Sequence, residues 1–220
     1  MEKTNRRSGG RASKKALRAA PLADELKPIK AGMNGGFYKP LNDTELKKIY
    51  DTAIDALETI GLSQSPKSGV SSMTNAGATL DDNGRLKFSR SLVEDMIDAS
   101  KKNLILFGRE KRFDLNISDK KVFFGTAGAA VHLVDSESRE YRDSTGQDLY
   151  HAAQIAHELE NIHFFQRTMV PRDIEDNLEM DINTLYACCA GTTKHIGTSI
   201  SDPSHVDKCI EFLHFLSGGS

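Results

Sequence analysis

Apolar residues recur at helical spacing most clearly between Asn42 and Gly61. The apolar positions of this segment fall on one face of a helix: Leu46, Ile49, Ala53, Ile54, Leu57 and Ile60. Asn42 or Asp43 is suited to cap the amino end of a helix, and Gly61 stands where a terminating glycine is expected. The segment therefore predicts an amphipathic helix.

Shorter helices and a series of short strands are predicted on either side of this helix. Helical patterns cover 13–20 and 66–76, and Ser91 with Glu94 predicts a capping box that opens another helix. Alternating or wholly apolar runs predict strands at 79–80, 86–88, 104–107, 113–117, 121–124 and 131–134. The Asp82-Asn83-Gly84 sequence is typical of a tight turn and joins the first two of these strands.

Strands and helices alternate in the last third of the chain. The predicted elements are a helix capped by Thr145 and Asp148, a strand at 162–166, a helix at 177–190, a strand at 195–200 and a helix capped by Ser204. Such an order requires a parallel sheet that is covered by helices. With 121–124 as the first strand, the chain contains three strand–helix units, whereas a closed eight-unit barrel needs roughly 200–250 residues.

We therefore predict an α/β chain whose residues 121–220 form the first three units of an incomplete TIM (β/α)8 barrel. A small α+β amino-terminal extension is expected at 36–120, and a basic tail at 1–35. The chain is expected to end before the barrel is complete. A three-layer open sheet is the alternative architecture.

Composition and charge exclude several classes of protein. With 38% hydrophobic and 27% charged residues, the chain has an ordinary globular composition, and it has neither an 18-residue apolar run nor an apolar secretory segment. The three cysteines form no spaced framework, which favours a reducing, cytoplasmic location. Residues 1–20 carry seven basic side chains and one acidic side chain, and we favour a solvated or subunit-clasping arm over nucleic-acid binding.

Several sequence blocks, in order along the chain, resemble the trimethylamine methyltransferase family. The blocks are Arg6-Arg7-Ser8-Gly9-Gly10-Arg11, Leu17-Arg18-Ala19-Ala20-Pro21-Leu22, Tyr38-Lys39-Pro40-Leu41, Phe124-Gly125-Thr126-Ala127-Gly128-Ala129-Ala130-Val131-His132, His163-Phe164-Phe165-Gln166-Arg167 and Thr193-Lys194-His195-Ile196-Gly197-Thr198-Ser199. Because they extend over essentially the whole chain, they are more specific together than any one of them alone.

The resemblance implies a TIM barrel with an amino-terminal extension and a methyltransferase activity. Members of the family move a methyl group from a methylated amine to the cobalt of a separate corrinoid protein. Some of them use pyrrolysine in the later half of the barrel, and others act on quaternary amines such as glycine betaine. The expected substrate is thus trimethylamine or a quaternary amine, the expected partner is a corrinoid protein, and a homo-oligomer is the expected assembly.

Two further expectations follow from the resemblance. The DxHxxG pattern of cobalt-ligating corrinoid proteins does not occur in the chain, so we expect no corrinoid (cobalamin) to be bound by the chain itself. The catalytic residues are expected beyond residue 220, and the present chain is expected to be inactive alone.

Candidate substrate-binding residues are chosen by position, because barrel enzymes carry their chemistry at the carboxyl ends of the strands. They are Phe124, Gly125, Thr126, Phe164, Gln166, Arg167, Arg172, Thr198 and Ser199. An aromatic face can bind a cationic amine by a cation–π contact, and an arginine can bind the carboxylate of a betaine.

Each of these assignments has a structural alternative. Gly125 and Gly128 can mark tight packing where a strand turns, and the phenylalanines can belong to the core. Arg167 and Arg172 can form ion pairs with Asp173 or Glu175. We expect no metal site, because the three strand histidines have no recognisable ligand spacing: His132, His163 and His195.

Two other functions compete with methyl transfer. A lyase or aldolase on a barrel needs a lysine or a carboxylate pair at the strand ends, and Lys194 precedes its strand. A non-enzymatic binding protein would use the basic tail to contact an acidic partner or nucleic acid.

Overall fold

The structure is a computed structural model that describes residues 10–20, 22–23 and 26–219. Residues 1–9 of the predicted basic tail lie outside the described residues. Within the described ranges the helices are α1 Arg11–Ala19, α2 Asp43–Thr59, α3 Lys67–Asn75, α4 Arg90–Ala99, α5 Gly146–Glu158, α6 Asn177–Gly191 and α7 Val206–Leu216. The strands are β1 Met33–Asn34, β2 Thr79–Leu80, β3 Leu86–Lys87, β4 Leu104–Leu106, β5 Leu115–Ile117, β6 Lys121–Val122, β7 His132–Val134, β8 Tyr141–Asp143, β9 Phe164–Gln166 and β10 His195–Gly197.

The chain divides into two compact units. The first unit comprises Met1–Met33, Ile105–Asn116 and Lys121–Ser220, and the second comprises Asn34–Leu104 and Ile117–Lys120. The domain division predicted from the sequence, with boundaries at residues 36 and 121, stays a prediction.

The second unit begins with the helix that the sequence predicts most clearly. The Asn42 side chain accepts a hydrogen bond from the Glu45 backbone N–H at 2.9 Å, and the Glu45 carboxylate accepts one from the Asn42 N–H at 2.9 Å. This capping box fixes the start of α2. After the helix, Gly61 adopts a φ of +68°, and a Cβ there would collide with the Leu86 carbonyl, so only glycine fits.

A short antiparallel hairpin completes the second unit. Strands β2 and β3 pair with Thr79 opposite Lys87, and Leu86 is buried with Ile54 of α2. The cap predicted at Ser91 is wrong: Ser89 caps α4 and accepts a hydrogen bond from the Leu92 N–H. Both serines precede the same apolar run, and the backbone turns into the helix at the earlier one.

The first unit contains parallel strands. In the β9–β10 pair, Phe164 lies opposite His195 and Gln166 lies opposite Gly197. A parallel bridge joins Gly125 to Phe164, so the stretch after β6 lies on the other side of β9. The order is that of consecutive strand–helix units. The described residues form no closed barrel, and the incomplete TIM barrel therefore stays a prediction.

Helices cover one face of these strands. Phe165 of β9 is fully buried in a cluster formed with α5 and α6, whose other buried members are Leu149, Ala153, Ala156, Ala187 and Cys188. A second cluster joins α6 to α7 through Leu185, Cys189 and Cys209. Burial of these apolar side chains holds the three helices against the sheet.

An antiparallel hairpin, β7–β8, precedes α5, and its first strand lies within the strand predicted at 131–134. Ser144 follows the hairpin and is fully buried, and its hydroxyl donates to the Val170 carbonyl at 2.7 Å. The predicted cap of α5 is confirmed, because Thr145 and Asp148 form a capping box. The cap predicted at Ser204 is wrong: the Asp202 carboxylate accepts from the Ser204 N–H and starts a 3-10 turn that leads into α7.

Candidate functional site

The carboxyl ends of three adjacent parallel stretches meet at one edge of the sheet. The Thr126 hydroxyl donates to the Gln166 carbonyl at 2.5 Å, which ties the first stretch to β9. The Arg167 N–H donates to the Gly197 carbonyl at 2.8 Å, which ties β9 to β10. Candidate substrate-binding residues from all three predicted strands thus lie at the same edge of the sheet.

The burial of Phe165 shows which side of β9 faces away from the helices. Successive side chains of a strand point to opposite faces, so Phe164 and Gln166 lie on the face opposite Phe165. The neighbouring strands carry glycine on this face. A Cβ on Gly125 would collide with the Phe164 ring, and a Cβ on Gly197 would collide with the Gln166 side chain.

The glycine-rich segment after the first stretch is explained by packing within the protein. The Phe164 ring occupies the space over Gly125, and a Cβ on Gly128 would lie 2.7 Å from the Thr168 carbonyl oxygen. Tight packing where the strand turns therefore explains these two glycines better than direct contact with a ligand does. Their contribution to the site is to let the Phe164 ring and the Thr168 backbone approach closely.

Two polar atoms directly after β9 are buried and have no hydrogen-bond partner among the described residues. They are the Thr168 Oγ1 and the Arg167 Nε. A buried polar group that has no partner costs roughly 1–3 kcal/mol, so both atoms would gain from a hydrogen bond to a bound molecule. Arg167 is one of the substrate-binding candidates, and Thr168 lies in the same predicted strand end, 166–169, where it continues the alternation of Phe164 and Gln166.

Neither candidate arginine forms an ion pair with a described residue. The Asp173 carboxylate instead accepts a hydrogen bond from the Gly146 N–H at 3.0 Å, at the start of α5. The alternative role of these arginines, an ion pair with Asp173 or Glu175, is therefore not seen in the described part of the chain. The Arg172 side chain is exposed.

The remaining candidates lie at the rim of this edge. Phe124 is 56% exposed, and its position alternates with that of Gly125, so it lies on the opposite face of its strand from Phe164. Thr198 is half-buried and Ser199 is exposed. We infer that Phe164, Gln166 and Thr168 form the inner part of the candidate site.

The loop after β10 is held by a buried acid that the sequence analysis missed. Asp181 of α6 is 5% exposed, and its carboxylate accepts hydrogen bonds from the Ser201 N–H at 3.0 Å and from the Ser201 hydroxyl at 2.8 Å. The His205 Nδ1 lies 2.8 Å from the same carboxylate. The sequence does contain an indication that Asp181 is buried, because it lies at helical spacing from the apolar residues Leu178 and Leu185.

Lys194 has a structural role, which argues against an aldolase. Its ammonium donates to the carbonyls of Ala156, Leu159 and Ile162 at 2.6–2.8 Å, and the residue is 3% exposed. Burial lowers the pKa of Lys194. All three donors are in use at the carboxyl end of α5, so the amine is not free to form a Schiff base.

Among the described residues, the cysteines and histidines form neither an activated nucleophile nor a metal centre. Burial raises the pKa of the Cys188 thiol to about 12, and it also raises that of Cys189. Hence neither thiol is activated. The His195 Nδ1 lies 2.9 Å from the Phe107 carbonyl oxygen. Within the described ranges, no three His, Cys, Asp or Glu side chains are grouped to hold a metal ion.

Comparison with known proteins decides the family. The family model described as trimethylamine methyltransferase (MTTB) matches residues 7–220. The chain belongs to the trimethylamine methyltransferase family. The match includes all three strand ends of the candidate site.

Individual members of the trimethylamine methyltransferase family are distant in sequence. The chain is 24% identical to the trimethylamine methyltransferase MttB of Desulfitobacterium hafniense over 179 residues, which are 81% of this chain and 36% of the relative. It is 25% identical to MttB1 of Methanosarcina acetivorans over 167 residues, 74% of this chain and 34% of the relative. The chain thus spans about a third of the length of the curated relatives that it matches.

The described helices do not meet the requirements for crossing a membrane. None of them combines the length and the apolar character that crossing a bilayer would require.

Proposed function

We propose that the protein to which this chain belongs transfers a methyl group from a methylated amine to the cobalt of a corrinoid carried by a partner protein. The carbon–nitrogen bond breaks and the nitrogen keeps the electron pair. The product from trimethylammonium is therefore dimethylamine, and the product from glycine betaine is dimethylglycine. Cobalt(I) supplies the electron pair of the new cobalt–carbon bond. No other oxidant or reductant is needed.

The observation that carries this proposal is the family match over residues 7–220. The relatives from Desulfitobacterium and Methanosarcina are trimethylamine methyltransferases by name. Fold alone would not support a particular reaction, because the same architectures serve many chemistries.

The geometry of the strand ends supports binding of a methylated amine there. The inner part of the candidate site has the aromatic ring of Phe164, the carboxamide of Gln166 and the hydroxyl of Thr168, which has no hydrogen-bond partner in the described part of the chain. The Phe164 ring can contribute a cation–π contact of about 0.5–2 kcal/mol to a cationic amine. The role that we propose for these residues is to orient the amine, because methyl transfer requires alignment of the breaking and forming bonds.

The choice between trimethylamine and a betaine depends on whether a carboxylate is bound. Arg167 has a buried, unpartnered Nε and no ion pair among the described residues, so it is the candidate ligand for a betaine carboxylate. Arg172 is exposed and is the second candidate. Trimethylamine has no carboxylate and would leave both guanidinium groups unused.

A methyl-transfer assay tests the proposed function. The complete polypeptide that the gene encodes is mixed with the corrinoid protein of the same organism in its cobalt(I) state, and methylcobalt formation is followed by absorption. We expect turnover with trimethylamine or glycine betaine. The absence of turnover with every methylated amine would contradict the proposal.

Two substitutions connect the assay to the candidate site. Gln166→Ala is expected to lower kcat/KM by about tenfold, the equivalent of one hydrogen bond of about 1.4 kcal/mol. Arg167→Met is expected to raise KM for glycine betaine and to leave KM for trimethylamine unchanged. Lys208→Ala, on exposed α7, is the matched control and should leave both constants unchanged.

A further inference from the structure

A second concave site lies at the other ends of the parallel strands. A cavity of about 870 Å³ is lined by the residues that precede β9 and β10, among them His163 and Lys194. Its opposite wall consists of residues 27–32 and 112–116, and the Gly32 N–H donates to the Val122 carbonyl at 3.1 Å. All of its lining residues belong to the first unit. The strand direction places this cavity at the amino ends, opposite the candidate amine site.

Basic side chains dominate the lining of this cavity. Five are basic, namely Lys27, Lys30, Arg112, Lys121 and Lys194, and three are acidic, namely Asp114, Glu158 and Glu160. Glu160 pairs with Lys27, and Asp114 accepts a hydrogen bond from the Gly108 N–H. Lys30 and Lys121 form no ion pair within the described residues.

His163 adds a buried hydrogen-bond donor. Its Nδ1 accepts a hydrogen bond from the Phe124 N–H at 2.8 Å, so in the neutral ring the proton is on Nε2. The residue is 5% exposed, and Nε2 has no partner among the described residues. Burial and the nearby charge of Lys194 lower the pKa of His163, which keeps the ring neutral and Nε2 a donor near pH 7.

We propose that the amino-end cavity binds a small oxyanion, a phosphate or a carboxylate, with Lys30, Lys121 and the His163 Nε2–H as its ligands. Two free ammonium groups attract an anion, and the buried donor requires an acceptor. The same charges repel a methylated ammonium, so this cavity is unsuited to the amine. The inference goes beyond the proposed function and does not depend on it.

Titration calorimetry of the chain with inorganic phosphate tests the proposal, and succinate replaces phosphate in a second series. Sodium chloride keeps the ionic strength constant, because weak anion binding is sensitive to screening. We expect saturable binding of at least one of the two anions. Tighter binding of phosphate would identify a phosphate group as the ligand, and tighter binding of succinate would identify a carboxylate.

Variants distinguish the cavity from the rest of the surface. The pair Lys30→Ala and Lys121→Ala should weaken binding tenfold or more, since each charged hydrogen bond contributes about tenfold. The pair Lys101→Ala and Lys208→Ala removes the same charge elsewhere and should leave binding unchanged. The pair Lys30→Arg and Lys121→Arg retains the charge and should retain most of the affinity.

The imidazole supplies a readout that is independent of affinity. In ¹⁵N NMR spectra, the His163 Nε2 resonance should shift on addition of the anion and should not shift with sodium chloride. No saturable binding, equal losses in the two alanine pairs, or a stationary Nε2 resonance in the presence of bound anion would overturn the proposal.

Discussion

Lys194 places a positive charge where the carbonyls at the end of α5 have no helical partners. The last carbonyls of a helix are unsatisfied and carry a partial negative charge, so an ammonium there is favourable. The Phe113 ring adds a contact, with its centroid 5.6 Å from the Lys194 Nζ. The three carbonyl acceptors lie 32 to 38 residues before Lys194, and no local pattern in the sequence indicates them.

Replacement of Lys194 should therefore destabilise the fold. We expect Lys194→Met to lower the free energy of unfolding by about 2–3 kcal/mol, because buried carbonyls lose their donors. Urea denaturation measures the change. Lys208→Met, which breaks the exposed pair with Glu211, is the matched control and should leave the free energy of unfolding nearly unchanged. Equal effects of the two substitutions would show that Lys194 has no special role.

His163 joins two strands through its side chain as well as its backbone. Its N–H donates to the Phe124 carbonyl at 2.7 Å, and its Nδ1 accepts from the Phe124 N–H at 2.8 Å. A protonated imidazole has no acceptor, so protonation would break the second bond. The pKa of His163 is lowered in the folded protein, and the unfolded chain therefore binds the proton more readily.

The stability that depends on neutral His163 is fully present above the ordinary histidine pKa of 6.5. It should decrease as the pH falls below that value towards the lowered pKa of the folded state. The slope for one proton is at most about 1.4 kcal/mol per pH unit. His163→Gln should reduce the pH dependence of the free energy of unfolding between pH 7 and 5, and an unchanged slope would contradict this.

At the level of elements, Arg142 connects the β7–β8 hairpin to the first turn of α5. Its guanidinium donates to both carboxylate oxygens of Asp148, at 2.7 and 2.8 Å, and also to Asp135 at 3.0 Å. The hydrogen bonds from Arg142 hold the pKa of Asp148 well below its ordinary value, and those from Thr145 act in the same direction. The helix start and the hairpin thus share one bidentate ion pair.

Acid should weaken this connection. Because the Asp148 pKa is lowered in the folded state, its contribution is present above the ordinary pKa of 3.8 and is lost as the pH falls towards the lower folded value. Arg142→Met should lower the free energy of unfolding at pH 7 and should reduce the dependence of that free energy on pH in the acid range. Arg139→Met on the same hairpin is the control. An acid dependence that is identical in both variants would refute the assignment.

The loop after β10 should lose order when Asp181 loses its charge. Asp181→Asn keeps one acceptor but weakens the hydrogen bonds from Ser201, whose N–H should then exchange faster with deuterium. Asp207→Asn in α7 is the matched control and should leave that exchange rate unchanged. Unchanged protection of the Ser201 N–H in the Asp181 variant would show that the loop is held by other contacts.

Local chemistry in the sequence predicts element starts well when a single residue can act as the cap. Asn42 with Glu45 and Thr145 with Asp148 are confirmed as capping boxes. Ser91 was wrong because Ser89 stands two residues earlier and offers the same hydroxyl. The predicted strands are too long, and the strand predicted at 195–200 is an example. Only His195–Gly197 form β10, because the following loop hydrogen-bonds to Asp181 and not to a neighbouring strand.

For the whole molecule, strand–helix alternation predicts a parallel pairing, and β9 and β10 pair in parallel. Within β9, Phe165 is buried against the helices and Phe164 lies on the other face, because successive side chains of a strand point to opposite faces. The strand–helix alternation does not predict the cavity at the amino ends, whose walls come from several separate segments between Lys27 and Lys194, and it does not predict which polar atoms lack a partner. These features depend on tertiary packing of distant segments.

The most direct test of the central claim is a crystal structure of the complete encoded polypeptide with trimethylamine or glycine betaine bound. We predict that the amine nitrogen lies at the carboxyl ends of the parallel strands, in contact with Phe164 and within reach of Gln166. An amine bound in the amino-end cavity, or bound without contact to these strand ends, would contradict the account.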